Sequence, residues 1–213
     1  MLQRFQNRRI FTRLQKGCLM KTCLIVIDVQ ESFRHRPFFT ETDLPAYLAA
    51  QNALIEGCIA QGIPVVRVFH SEGPETASNP FSQTSGHVSP LKGLAAFDAA
   101  ATFTKSRHSA LVGTGLEVWL TRHGVQRLII SGIRTEQCCE TTTRHASDLG
   151  WTVDYVLDAT HTWDMVQPDG QTLTAADIKT RTATVLQGRF ATLCTVAEAL
   201  ARAQAAALPE VRA

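Results

Sequence analysis

The chain has 213 residues, a formal net charge of +2, 45% hydrophobic and 19% charged residues. That length suits one sizeable core, the composition excludes a largely disordered chain, and no apolar run approaches the roughly 20 residues of a membrane span. The six cysteines lack the density of a secreted scaffold and include no C-x-x-C pair, so neither a disulfide framework nor a zinc knuckle is expected, and a reducing, cytoplasmic setting is.

The charge is unevenly spread. Residues 1–21 hold six basic side chains and no acid, which leaves the body mildly acidic and without a nucleic-acid face. This Arg-rich head, residues 1–20, resembles a transit segment. It also fits an upstream start codon, because "MKTCLIVIDVQ" from Met20 runs straight into a strand, and we favour the second explanation. One domain is expected over 21–205, followed by a short tail at 206–213.

Along the body, "TCLIVIDVQ" (22–30) is a β-branched run typical of a strand buried on both faces. Residues 43–62 carry Leu44, Leu48, Leu54, Ile55 and Ile59 at helical spacing, and Gly62 ends the helix. "IPVVRVF" (63–69) is a second strand. Residues 71–92 form a long polar loop, a common place for function. "TFTK" (102–105) is a short strand, and Thr114 with Glu117 has the spacing of a capping box for a helix that ends at Gly124. "VQRLIIS" (125–131) is a strand, followed by a helix through "CETTTRHASDLG" and a further strand at 151–159. A helix at 174–188, a strand at 190–195 and a helix capped by Thr195 and Glu198 complete the chain.

Strands alternating with helices imply an α/β fold, a three-layer α/β/α sandwich around a mostly parallel sheet. Chemistry in such sheets collects at the carboxyl ends of the strands. Asp28, Lys105 and Cys138 fall at three of those ends, bringing a carboxylate, an ammonium and a thiol to one rim. With Thr135 as the cap, Cys138 stands in the first helical turn. There the dipole is expected to lower its pKa and its N–H to face a developing oxyanion. Cys139, one step round, is expected to pack. Each signal has an ordinary explanation as well: a strand-ending Asp, a surface Lys, two buried cysteines. No dinucleotide or Walker-type glycine loop is present.

"LIVIDVQESF" (24–33), "TKSRHSAL" (104–111) and "SGIRTEQCCETTTRHA" (131–146) resemble, in order, three signature blocks of the isochorismatase-like cysteine hydrolases. The resemblance implies Cys138 as nucleophile, Asp28 as general base and Lys105 as its charged neighbour. It implies a cis peptide at Ile133–Arg134, with the backbone N–H groups of Arg134 and Cys138 as the oxyanion hole. The implied reaction is hydrolysis of a small amide, carbamoyl or ureido group through a Cys138 thioester, in a homodimer or homotetramer. Phe33 and Trp163 are candidates for the pocket wall or for the core. Arg134 is a candidate clamp for a substrate carboxylate, or the partner in a salt bridge.

Two departures bear on the substrate. Nicotinamidases of the superfamily use an Asp-x-His metal arrangement after the second strand, whereas His70 in "VRVFHSEGPE" stands without those paired ligands. No metal and no cofactor are therefore expected. The vinyl-ether-cleaving isochorismatases do not depend on a cysteine at the nucleophile position, so Cys138 points to amide chemistry. Ether hydrolysis, or a thiol-sensing protein on the same fold, stands as the alternative. Glu136 is adequately explained by the helix dipole, and His87, His108, His123, His145 and His161 show no usable pattern.

Overall fold

A computed structural model describes residues 22–207; the basic head and residues 208–213 lie outside the described residues. Six parallel strands form the sheet: β1 (Thr22–Ile27), β2 (Val65–His70), β3 (Ala101–Lys105), β4 (Arg127–Ile133), β5 (Thr152–His161) and β8 (Thr192–Cys194), in the spatial order β3-β2-β1-β4-β5-β8. The order reverses direction at β1, so the central strands β1 and β4 lie side by side where their connections diverge. That is where an open α/β sheet leaves a crevice at its carboxyl edge. A small antiparallel hairpin, β6 (Met165–Val166) with β7 (Thr172–Leu173), follows β5.

The β-branched runs fill both faces of the sheet. Leu24, Val26 and Ile129 point to a core layer covered by α1 (Leu44–Ala60) and α5 (Val196–Ala207). Cys23, Ile25, Ile130 and Leu128 point to the opposite layer under α2 (Leu116–Arg122), α3 (Glu140–Asp148) and α4 (Ala175–Leu186). The three-layer sandwich follows from strands with no polar face.

Helix ends test the capping expectations. Thr195 and Glu198 form the reciprocal box, with Glu198 Oε2 accepting from the Thr195 N–H at 2.8 Å and Thr195 Oγ1 accepting from the Glu198 N–H at 3.3 Å. Thr114 and Glu117 do not. The Thr114 hydroxyl donates to the Ala110 carbonyl, and Gly115, at φ 76°, caps α2 in a left-handed conformation that glycine adopts without strain. Ile59, counted with the apolar stripe of α1, faces solvent. Helix α5 continues through residues 206 and 207, the first two of the expected tail.

Candidate active site

Asp28 directly follows β1 with φ 53°, an uncommon left-handed conformation for a residue with a side chain. Its carboxylate is thereby turned into the rim instead of continuing the ladder. Beside it, Gly132 of β4 pairs with Ile27, and a Cβ there would lie 2.0 Å from the Ile27 carbonyl oxygen. Only glycine lets the two central strands approach this closely at their carboxyl ends. The Ile133–Arg134 peptide is cis.

The chain then enters a π-helical turn, Thr135–Cys139, before α3 begins. This corrects the expectation that Thr135 caps the helix: its hydroxyl donates to Thr160 Oγ1 at 2.9 Å, and its carbonyl accepts from the Tyr155 hydroxyl at 2.7 Å. Strand β5, whose pairing with β4 shifts register between Ile130 and Gly132, thus holds the turn from beneath. The wide turn gives the Arg134 carbonyl to the amides of Gln137 and Cys139, and the Cys138 amide is not among its donors. Such turns recur at functional sites.

Lys105, at the end of β3, reaches into the same place. Its Nζ lies 2.7 Å from Asp28 Oδ2, 3.3 Å from Cys138 Sγ and 2.9 Å from His70 Nδ1. Asp28, Lys105 and Cys138 are all buried. The Asp28–Lys105 contact is ionic and not aligned as a hydrogen bond, so both carboxylate oxygens lack a hydrogen-bond partner. Burial pushes the Asp28 pKa up, against the opposing pull of Lys105. Burial also works against the Lys105 charge, but Asp28 and Cys138 outweigh it and hold the ammonium above its ordinary value.

Burial first, and then the negative charge of Asp28, push the Cys138 thiol up, with Lys105 opposing. The expected lowering by the helix dipole is therefore overturned. Dehydration and a carboxylate at contact range outweigh the partial charge of a helix end. The arrangement is a protonated thiol beside a carboxylate whose own affinity for protons is raised, which suits proton transfer between them.

A cavity of about 260 Å³ opens over the sulfur. Phe33, Phe38 and Phe81 line it, with Arg36, Glu72 and His108 among its polar lining residues. His108 Nδ1 is 3.8 Å from Cys138 Sγ.

The Isochorismatase domain model matches residues 22–197, which takes in every element just described except most of α5. The chain belongs to the isochorismatase family. It is a hydrolase. The isochorismatase family protein YrdC of Bacillus subtilis is 27% identical over 176 residues, covering 82% of this chain and 92% of its own. A solved isochorismatase-type structure from Burkholderia xenovorans LB400 superposes with a TM-score of 0.78 at 27% identity, over 90% of this chain and 91% of the other. Nicotinamidase 3 of Arabidopsis thaliana is 40% identical over 60 residues, 28% of this chain and 30% of its own.

Within this family fold the other predicted site residues divide. Phe33 lines the cavity while packing edge-on to Phe81, with centroids 5.2 Å apart. Trp163 does not line it. It stacks behind Phe33 and Phe38, its indole N–H donating to the Thr40 carbonyl at 3.1 Å, and it borders a neighbouring cavity. Arg134 lines the cavity, although its guanidinium is largely buried. Its Nε lies 3.1 Å from Glu136 Oε1 and donates to Thr162 Oγ1, and the group packs 4.9 Å from the Phe38 ring centroid. Glu136 is thus the ion-pair partner of Arg134, not only a complement to the helix dipole. Cys139 is fully buried among core residues and does not border the cavity.

His70, Glu72 and His108 were missed as site residues. His70 is not a loop residue but the buried last residue of β2, and both its ring nitrogens are occupied: Nδ1 faces Lys105 and Nε2 lies 3.0 Å from Glu72 Oε2. Among the described residues no three His, Cys, Asp or Glu side chains gather as a metal-binding group. A metal of the nicotinamidase kind therefore does not fit the donors present at His70. No helix among the described residues is long and apolar enough to cross a membrane.

Proposed function

We propose that the protein is a cysteine hydrolase that cleaves a C–N bond in a small, uncharged amide, carbamoyl or ureido substrate. The observation that carries the proposal is the convergence of Asp28, Cys138 and Lys105, with the ammonium 2.7 Å from the carboxylate and 3.3 Å from the sulfur. Asp28 takes the proton of Cys138, and the thiolate attacks the substrate carbonyl carbon. Backbone N–H groups of Arg134 and Cys138 hold the resulting oxyanion. Asp28 returns the proton to the leaving nitrogen, which departs as ammonia or an amine and leaves a thioester. Asp28 then deprotonates a water that attacks the thioester, releasing the acid and restoring the thiol. Lys105 keeps the carboxylate and the transient thiolate charge-balanced throughout.

Three phenylalanine walls favour an apolar or aromatic group beside the scissile carbonyl. Because Glu136 already neutralises Arg134, a carboxylate clamp is disfavoured. The proposal includes a cytoplasmic setting and a homodimer or homotetramer, as the family resemblance implies. Ammonia release from a panel of primary amides and ureido compounds tests it: wild-type protein hydrolyses a subset, and Cys138→Ala and Cys138→Ser each lose at least about a thousandfold in rate. Hydrolysis of a vinyl ether that survives Cys138→Ser would favour the ether-cleaving alternative.

A further inference from the structure

On the footing that Cys138 is the reacting thiol, we infer that His70 is a positioning residue, acting as the neutral hydrogen-bond acceptor that fixes the Lys105 ammonium between Asp28 and Cys138, with Glu72 setting its tautomer. The sheet itself brings the pair together. His70 and Lys105 are register partners on the adjacent parallel strands β2 and β3, so their side chains leave the same face at the carboxyl edge.

Three groups surround an ammonium that has three protons: Asp28 Oδ2 in ionic contact, with Cys138 Sγ and His70 Nδ1 within hydrogen-bond reach. An ammonium has no lone pair to offer, so the Nδ1 facing it must accept. The imidazole proton then sits on Nε2, which points at the Glu72 carboxylate 3.0 Å away.

The rest of His70 is held as firmly. Gln30, fully buried, accepts from the His70 backbone N–H at 2.7 Å and donates to its carbonyl at 3.0 Å, extending the β1–β2 pairing by side chain where the strand itself has ended. Phe81 packs edge-on against the ring with centroids 5.8 Å apart. Without His70, a fully buried Lys105 would hold one N–H with no acceptor, and the least costly remedy is to swing away from the sulfur.

The test reads native Cys138 directly, with iodoacetamide as probe and fragment-ion mass spectrometry separating Cys138 from Cys139. Lys105→Met is expected to slow Cys138 alkylation by about tenfold or more, the equivalent of one pKa unit. His70→Leu is expected to slow it by about tenfold, while His70→Asn, whose side-chain oxygen takes the place of Nδ1, returns it to within about threefold of wild type. If Lys105→Met slows labelling and His70→Leu does not, the role of His70 is overturned while the nucleophile reading stands. Equal slowing by His70→Asn and His70→Leu also overturns it, since that pattern marks lost packing. An unchanged rate in Lys105→Met overturns both. Should His70→Leu fail to fold, ¹⁵N resonances of the wild-type histidine decide: a neutral ring protonated at Nε2 supports the role, and a proton on Nδ1 overturns it.

Discussion

Two aspartates are fully buried in this sheet, and their surroundings differ in kind. Asp154, in β5, has each oxygen occupied: Arg127 donates to Oδ2 at 2.8 Å and Arg202 to Oδ1 at 3.0 Å. Both arginines reach solvent, so the cluster fastens β4 and α5 to β5 at modest dehydration cost. Asp28 has one ionic neighbour that is itself sealed from water, neither oxygen in an aligned hydrogen bond, and a cavity in front. It also sits in a left-handed backbone conformation. Asp154 is saturated, as suits a carboxylate kept for stability; Asp28 is left with capacity to take a proton, as the proposed base requires.

The contrast is sharpest in activity. With Asp28 as the proposed base, Asp28→Asn should lower hydrolysis by at least about a thousandfold, measured as ammonia release, while the thiol remains. Gly132→Ala strikes the same region through the backbone. With Ile27 main-chain atoms in its way, the new methyl is expected to cost about 4 kcal/mol or more in urea unfolding, or to prevent folding altogether.

A third prediction concerns pH and leaves Asp28 untouched. Burial, with Lys179 adding to it, lowers the His161 pKa from 6.5 to about 4. The unfolded chain therefore binds more protons than the folded one in this window. The stabilisation is complete above about 6.5 and is lost as pH falls toward about 4, on the order of 3 kcal/mol. Unfolding measured across that window should show a slope that His161→Gln flattens; an unaltered slope in the variant would remove His161 from the account. The smallest effect belongs to Asp154→Asn. Because its arginines can rehydrate, we expect a loss of about 2 kcal/mol in stability and catalysis within about twofold per folded molecule. A large catalytic loss there would erase the distinction between the two carboxylates.

Much of this is legible in the sequence alone. Apolar β-branched runs announce strands covered on both faces, which holds for the central strands β1 and β4, while the edge strand β3 was legible only as a short, partly polar segment. Asp28, Lys105 and Cys138 were legible as strand-end residues because the architecture sends those ends to one rim. What escaped depends on contacts between distant segments. Thr135 has the composition of a cap, but Thr160 and Tyr155 claim it for the π turn. His70 becomes part of the site only through the register of β2 with β3, and His108 only through the loop that returns it to Cys138. The sign of the Cys138 shift was misjudged because a dipole can be counted along a helix, whereas dehydration depends on what closes over the thiol.

The central claim is covalent chemistry at Cys138, and the most direct measurement is to quench the protein in acid while it turns over the best amide of the panel, then weigh the peptide carrying Cys138 and Cys139. An acyl group on Cys138, absent from Cys139 and lost in Cys138→Ala, is the predicted result. Turnover with no adduct, proceeding in Cys138→Ala at a rate within about twofold of wild type, would contradict it.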